Sequence, residues 1–135
     1  MIPPELKKAF DETYYVVHRQ PPFTLRIGQH SPDLDALLKS MACEGAAFIT
    51  AWNPMCQPLS DEENQQRQLA LTEELKALGL EVFPGTGQHP DNGWPGEASL
   101  LVMGLKLQAA RQLSRKYGQM AFVWQALHGP ARLER

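Results

Sequence analysis

The spacing of apolar positions divides the chain into short extended runs and amphipathic helical ones. "AAFITAW" (residues 46–52) and "ASLLVMGL" (98–105) are apolar or small at almost every position. Strands covered on both faces read this way, so both are expected at the centre of a sheet. "YYVVH", "FTLRIG" and "LEVFPG" are shorter strand-like runs, and Pro21-Pro22 separates the first two. "QMAFVWQAL" and "ARLER" read as a closing hairpin around His128-Gly129-Pro130. "TGQHPDNGWPGE", rich in Gly and Pro, is expected to be a long loop.

Four segments carry helical spacing. "PPELKKAFDET" has Pro in its first turn. "HSPDLDALLKSM" starts with Ser31 as N-cap and Pro32 after it, then repeats Leu34, Leu37, Leu38 and Met41, and Gly45 ends the segment. "SDEENQQRQLALTEELKALG" opens with Ser60 and Glu63 at capping-box spacing and closes on Gly79. "KLQAARQLSRKYG" ends in basic residues before Gly118. The third helix poses a puzzle. Its apolar stripe is Leu71, Leu75 and Leu78, and continuing it backwards lands on Gln68, Arg67 and Asn64. A core-facing stripe that begins in amides and a guanidinium suggests that the helix faces a cleft at its start.

Strands and helices alternate over 135 residues with no repeat, linker or low-complexity tract. The expected fold is one α/β or α+β domain spanning 1–135, a single mixed β-sheet with helices packed on it. Right-handed crossovers would make the first three inner strands parallel. Their C-terminal ends would then share an edge bearing Gln29, His30 and Ser31, then Asn53, then the Gly/Pro-rich loop. Two helix starts, at Ser31 and Ser60, would open there. Glu97 and Gln119 would join them, because the later strands run back. Open sheets bind ligands at such edges, and helix N-termini favour anions.

Composition narrows the function classes. Hydrophobic content is 43% and charged content 21%, as in ordinary globular proteins. The net charge of −2 gives no general attraction to nucleic acid or anionic lipid, although the C-terminal part is locally basic. No apolar run is long enough to span a membrane, and no signal peptide is expected from "MIPPELKKAFDETYY". Cys43 and Cys56 read as reduced thiols of a cytoplasmic protein. His18, His30, His89 and His128 lack metal-ligand spacing, so no metal is expected. Gly85-x-Gly87 lacks the remainder of a dinucleotide fingerprint, and no phosphate-binding loop or nucleophile elbow occurs, so no cofactor is implied.

The candidate chemistry lies at the polar edge. Asn53, Ser60, Asn64, Arg67, Trp94 and Gln119 are the candidate ligand-binding residues, and Glu97 is the candidate catalytic base. Five of them have a structural alternative, Glu97 as a plain strand start or a cap for Arg67. Asn53 before Pro suits a strand-end turn, Asn64 and Arg67 suit a buried polar network, and Trp94 suits a plug over the core. Arg67 is expected to pair with Glu97. Three readings follow. The leading one is a binding domain for a small polar or anionic ligand. The second is a small hydrolase or transferase using Glu97 as general base. The third is a protein-interaction module with a purely structural polar network. No oligomeric state is assigned.

At "FITAWNP", Ser60 with Glu63-Asn64 and Arg67, "WPGEASLLVMG" and "YGQMAFV", the chain resembles a small bacterial family, domain of unknown function 3293. The resemblance runs from about "LRIG" to "AFVW". It implies recurrent polar residues at Asn53, Asn64, Glu97 and Gln119, and no particular reaction, cofactor or partner. The family often has Asn after its Gly-Gln pair. Here Met120 stands there, so the resemblance implies no polar role at that position.

Overall fold

A computed structural model describes residues 2–91 and 93–135. Its elements in chain order are α1 (Pro4–Glu12), β1 (Tyr14–Val17), β2 (Phe23–Leu25), α2 (Pro32–Ser40), β3 (Gly45–Ile49), α3 (Asp61–Ala77), β4 (Val82–Gln88), β5 (Glu97–Met103), α4 (Leu107–Lys116), β6 (Phe122–Ala126) and β7 (Arg132–Glu134). A single 3-10 turn (Pro54–Cys56) follows β3. The expected start signals operate. Ser31 caps α2 by accepting from the Leu34 N–H, and Ser60 and Glu63 close a reciprocal capping box on α3.

The strands form one seven-stranded sheet in the order β2-β1-β4-β5-β3-β6-β7, and every neighbouring pair is antiparallel. This overturns the α/β fold class, the mixed sheet and the parallel inner strands. The fold is α+β. The crossovers set strand direction as expected, but the strands they join are not neighbours. β3 and β4 run the same way across α3, but β5 lies between them. β5 and β6 run the same way across α4, but β3 lies between them. The two crossovers interleave, which is the split β-α-β arrangement. Strands buried on both faces read alike in sequence whether their neighbours are parallel or antiparallel, so the apolar pattern could not distinguish the two.

β3 and β5 are central, as their apolar runs predict, and their side chains alternate between two cores. Phe48, Leu101 and Met103 face α2 with Leu34, Leu37 and Leu38. Ile49, Leu100 and Val102 face Leu71 and Leu75 of α3 and Ala110 and Leu113 of α4. The sheet curls towards closure. The Gly28 N–H donates to the Ala131 carbonyl, and the Ala131 N–H to that of Gln29, so the chain after β2 meets the chain before β7.

Two local expectations also change. β4 extends to Gln88, so the loop begins only at His89. Gly85 lies inside the strand because a Cβ there would come 2.7 Å from the Phe48 ring and 2.8 Å from the Val16 carbonyl. Asn92 of that loop lies outside the described residues. Leu78 is not part of the buried stripe and is 60% exposed, whereas Leu71 and Leu75 are fully buried. No helix among the described residues is long and apolar enough to cross a membrane.

Candidate functional site

Alternating strand direction brings four segments to one edge of the sheet. They are the end of β3, the end of β4, the start of β5 and the start of β6. The chain leaves β3 through Thr50, Ala51 and Trp52 into a tight loop in which Asn53, Met55 and Cys56 all have left-handed backbone, with φ of 45°, 53° and 59°. Non-glycine residues rarely hold that conformation unless their surroundings impose it. The first turns of α3 supply the constraint.

Asn64, 1% exposed, accepts from the Asn53 N–H at 2.8 Å and donates Nδ2 to Asn53 Oδ1 at 2.7 Å. Asn53 Oδ1 also accepts from the Leu59 N–H at 3.0 Å. Gln68 Oε1 accepts from the Ala51 N–H at 2.9 Å and from Thr50 Oγ1 at 3.2 Å. Arg67 donates Nε to the Ala51 carbonyl at 2.9 Å and Nη2 to the Tyr117 carbonyl. Gln119 Nε2 bridges the Trp52 and Tyr117 carbonyls. The polar beginning of the α3 stripe therefore serves as a bracket. It pairs the backbone groups that β3 loses on leaving the sheet, which would otherwise be buried unpaired. The bracket also joins β3 to the turn between α4 and β6. There the Met55 N–H donates to the Gly118 carbonyl at 2.6 Å, and Pro54 packs so close that a Cβ on Gly118 would lie 2.9 Å from it.

Beside the bracket lies a cleft of about 230 Å3. Leu6, Ala9 and Phe10 of α1 form one wall, and Phe48, Phe122 and Leu133 from the sheet are among the apolar groups facing it. Tyr15 ties the two sides together by donating its hydroxyl to the Phe10 carbonyl at 2.7 Å. Of the residues singled out in the sequence, Asn53, Trp94, Glu97 and Gln119 line the cleft, whereas Ser60, Asn64 and Arg67 do not. Ser60 is engaged with Glu63 in its capping box. No ion pair joins Arg67 to Glu97 among the described residues. Glu97 Oε2 instead accepts from Asn53 Nδ2 at 3.3 Å. The start of α2 is not at this edge. Asp35 accepts from the His128 N–H at 2.8 Å, and Gln125 Nε2 donates to the Ser31 carbonyl, which places Ser31 and His30 at the opposite end of β6.

Burial pushes the Glu97 carboxyl above its usual range, and the Asn53 amide only partly offsets this. Burial also raises the Cys56 thiol, and the Glu97 charge adds to it. A thiol raised in this way is a poor nucleophile at neutral pH. Among the described residues Glu97 is thus the one carboxylate lining the cleft, beside one imidazole, His89, whose Nε2 lies 3.6 Å from Glu12 Oε1. Among the described residues, no group of three or more His, Cys, Asp or Glu side chains could hold a metal ion. Sequence reasoning missed the α1 wall, although Leu6, Phe10 and Thr13 recur at helical spacing. It also missed Cys56, which reaches the cleft only through the left-handed turn and gives no signal in the sequence.

The interleaved crossovers with their bracketed edge define a small α+β protein of the split β-α-β type. The family model described as "Protein of unknown function (DUF3293)" matches residues 49–122, more than half of the chain, and the chain belongs to that family. The match runs from the last residue of β3 to the first of β6, and so contains both crossover helices, the bracket and Glu97. No curated protein and no solved structure matches the chain.

Proposed function

We propose that this chain is a cytoplasmic bacterial binding domain for a small polar ligand, held in the cleft beside Glu97. The observation that carries the reading is the cleft itself, an apolar cavity with a few polar groups converging at one end, the usual form of a small-molecule site. The bracket supports it by holding the Asn53 loop, and with it the Glu97 partner, in a fixed geometry before any ligand arrives. A cytoplasmic setting suits the two free cysteines. The test is a thermal-shift screen of metabolites. A ligand at 100 times its dissociation constant adds about 2.7 kcal/mol, on the order of 10 °C for a chain of this size. Ala9→Trp, which fills the cleft from α1, should abolish the shift. A hit that persists in that variant would place binding elsewhere.

The second reading, a hydrolase or transferase, is favoured by one observation, the raised Glu97 carboxyl facing the cavity. A carboxyl raised above its ordinary range by burial in a cleft is a candidate general base. The anion-stabilising half of that mechanism has less support, because the Arg67 guanidinium donates to two carbonyls outside the cleft. Turnover of a screened ligand, lost in Glu97→Gln, would favour this reading over simple binding.

A further inference from the structure

We propose that the ligand is a small cationic amine carrying an apolar body of about one aromatic ring, with Glu97 as its counter-ion. The inference rests on the small-ligand reading and narrows it to a chemical class.

The charge around the cleft is one-sided. Glu97 is the acidic residue in the lining and no Lys or Arg lines it among the described residues, while the lining's imidazole, His89, is turned to Glu12, with Nε2 3.6 Å from Oε1 and Nδ1 accepting from the Asp91 N–H. The one guanidinium near this edge, Arg67, is held by the Ala51 and Tyr117 carbonyls. An anion entering the cleft would meet a carboxylate with no Lys or Arg to offset it, and the His89 imidazole is directed at Glu12. The amide donors are also engaged. Asn53 Nδ2 donates to Glu97, and Gln119 Nε2 donates to the Trp52 and Tyr117 carbonyls. The carboxylate that remains on offer is an acceptor. Glu97 Oε2 takes the Asn53 amide, and Oε1 takes no hydrogen bond among the described residues. A donor bearing positive charge is the complement, because charge-assisted hydrogen bonds in a poorly hydrated site are the strong ones.

The walls select the rest of the ligand. Phe10, Phe48, Phe122 and Trp94 line the same cavity, and aromatic faces attract ammonium groups as well as apolar bodies. The size fits one ring with a short arm. Cavities of roughly 150 Å3 hold a benzene molecule, and this one measures about 230 Å3.

The test compares three probes of one shape, 2-phenylethylamine, 2-phenylethanol and 3-phenylpropionate, titrated calorimetrically at pH 7 with Trp94 fluorescence as a second readout. The amine should bind at least about tenfold more tightly than the alcohol, and the carboxylate most weakly. Glu97→Gln should erase the amine's advantage while leaving alcohol binding in place, and that retained binding shows that the variant is folded. Ala9→Trp should weaken all three probes without touching the charge. Equal or tighter binding of the alcohol or the carboxylate would overturn the amine class and leave the small-ligand reading standing. An amine preference that survives Glu97→Gln, or amine binding that survives Ala9→Trp, would also overturn it. Absence of binding by all three at millimolar concentration would sink the amine proposal, while the small-ligand reading would still be decided by the metabolite screen.

Discussion

Replacing Asn64 by Ala tests whether the polar start of α3 is a structural bracket. The side chain makes two good hydrogen bonds to Asn53, at 2.8 and 2.7 Å, and a marginal one of 3.5 Å to the Leu59 carbonyl. Each net hydrogen bond is worth about 1 kcal/mol, and a buried N–H left without a partner costs about 1–3 kcal/mol. The Asn53 N–H would be stranded in this way, while Asn53 Oδ1 would keep the Leu59 N–H. Relaxation works in the other direction. Freed from the bracket, the loop could release some of the cost of its left-handed residues, each worth on the order of 1 kcal/mol or more. The expected loss is therefore about 2–4 kcal/mol. Urea unfolding with a slope of about 1.5 kcal/mol/M would show it as a midpoint lowered by roughly 1.3–2.7 M.

A double-mutant cycle with Asn53→Gly refines the assignment. Glycine accepts the left-handed backbone of position 53 and keeps the N–H that Asn64 Oδ1 receives, so of the two bonds to Asn64 it removes only the side-chain one, and the bonds it also loses to the Leu59 N–H and Glu97 cancel in the cycle. The coupling energy should come out near 1 kcal/mol, the value of the Nδ2 to Oδ1 bond. A loss below about 1 kcal/mol for Asn64→Ala, or no coupling, would refute the bracket. It would mean that water replaces these bonds and that the edge is open where the structure shows it closed.

Arg67→Ala should cost several kcal/mol, because two carbonyls lose a charged donor, and Arg67→Lys should recover only part of this, since one ammonium cannot span both; full rescue by Lys in urea unfolding would show that charge alone matters. Gly118→Ala should cost roughly 2–4 kcal/mol, since φ is 70° and the new Cβ would press on Pro54; a neutral result would show that the turn moves freely. Glu97→Gln should change the pH dependence of stability in a set direction. A carboxyl raised by folding favours the native state when protonated, so that contribution is present below the ordinary carboxylate range and is lost as pH rises through the native value. Relative to the glutamine variant, the parent should lose stability as pH increases over that window. A parent–variant difference that does not change with pH, measured by urea unfolding at several pH values, would show that Glu97 is not desolvated.

Elements were legible in the sequence where local chemistry decides them. Ser31 and Ser60 cap their helices, Gly79 and Gly118 end theirs in left-handed backbone, and the runs around Phe48 and Leu101 are the buried centre of the sheet. Strand neighbours were not legible, because adjacency depends on where a third strand inserts. Nothing in the composition of β5 says that it will lie between β4 and β3. The β4 boundary was misread for a related reason. Gly85 looks like the end of a strand and Gly87 like a loop residue, but the strand runs on to Gln88, and Gly85 stands inside it so that the Phe48 ring can cross it at contact distance. That approach is a tertiary fact invisible at positions 80–88.

Asn53, Glu97 and Gln119 nonetheless lie at one edge as expected, although the topology behind that expectation was wrong and the start of α2 lies elsewhere. It is enough that the end of β3, the start of β5 and the start of β6 face one way, and direction depends on the number of chain reversals, not on which strands touch. Interleaving the crossovers changes what those residues meet. With β5 beside β3, Glu97 starts next to the loop that leaves β3, close enough to take the Asn53 amide. With β6 on the other flank, Gln119 and Tyr117 come under Arg67. Arg67 is thereby committed to carbonyls, and Glu97 is left facing the cavity with a neutral partner. A parallel β3–β4 pair would have had no such strand between them. The antiparallel insertion is what separates the cation from the carboxylate and makes the cleft acidic at one end.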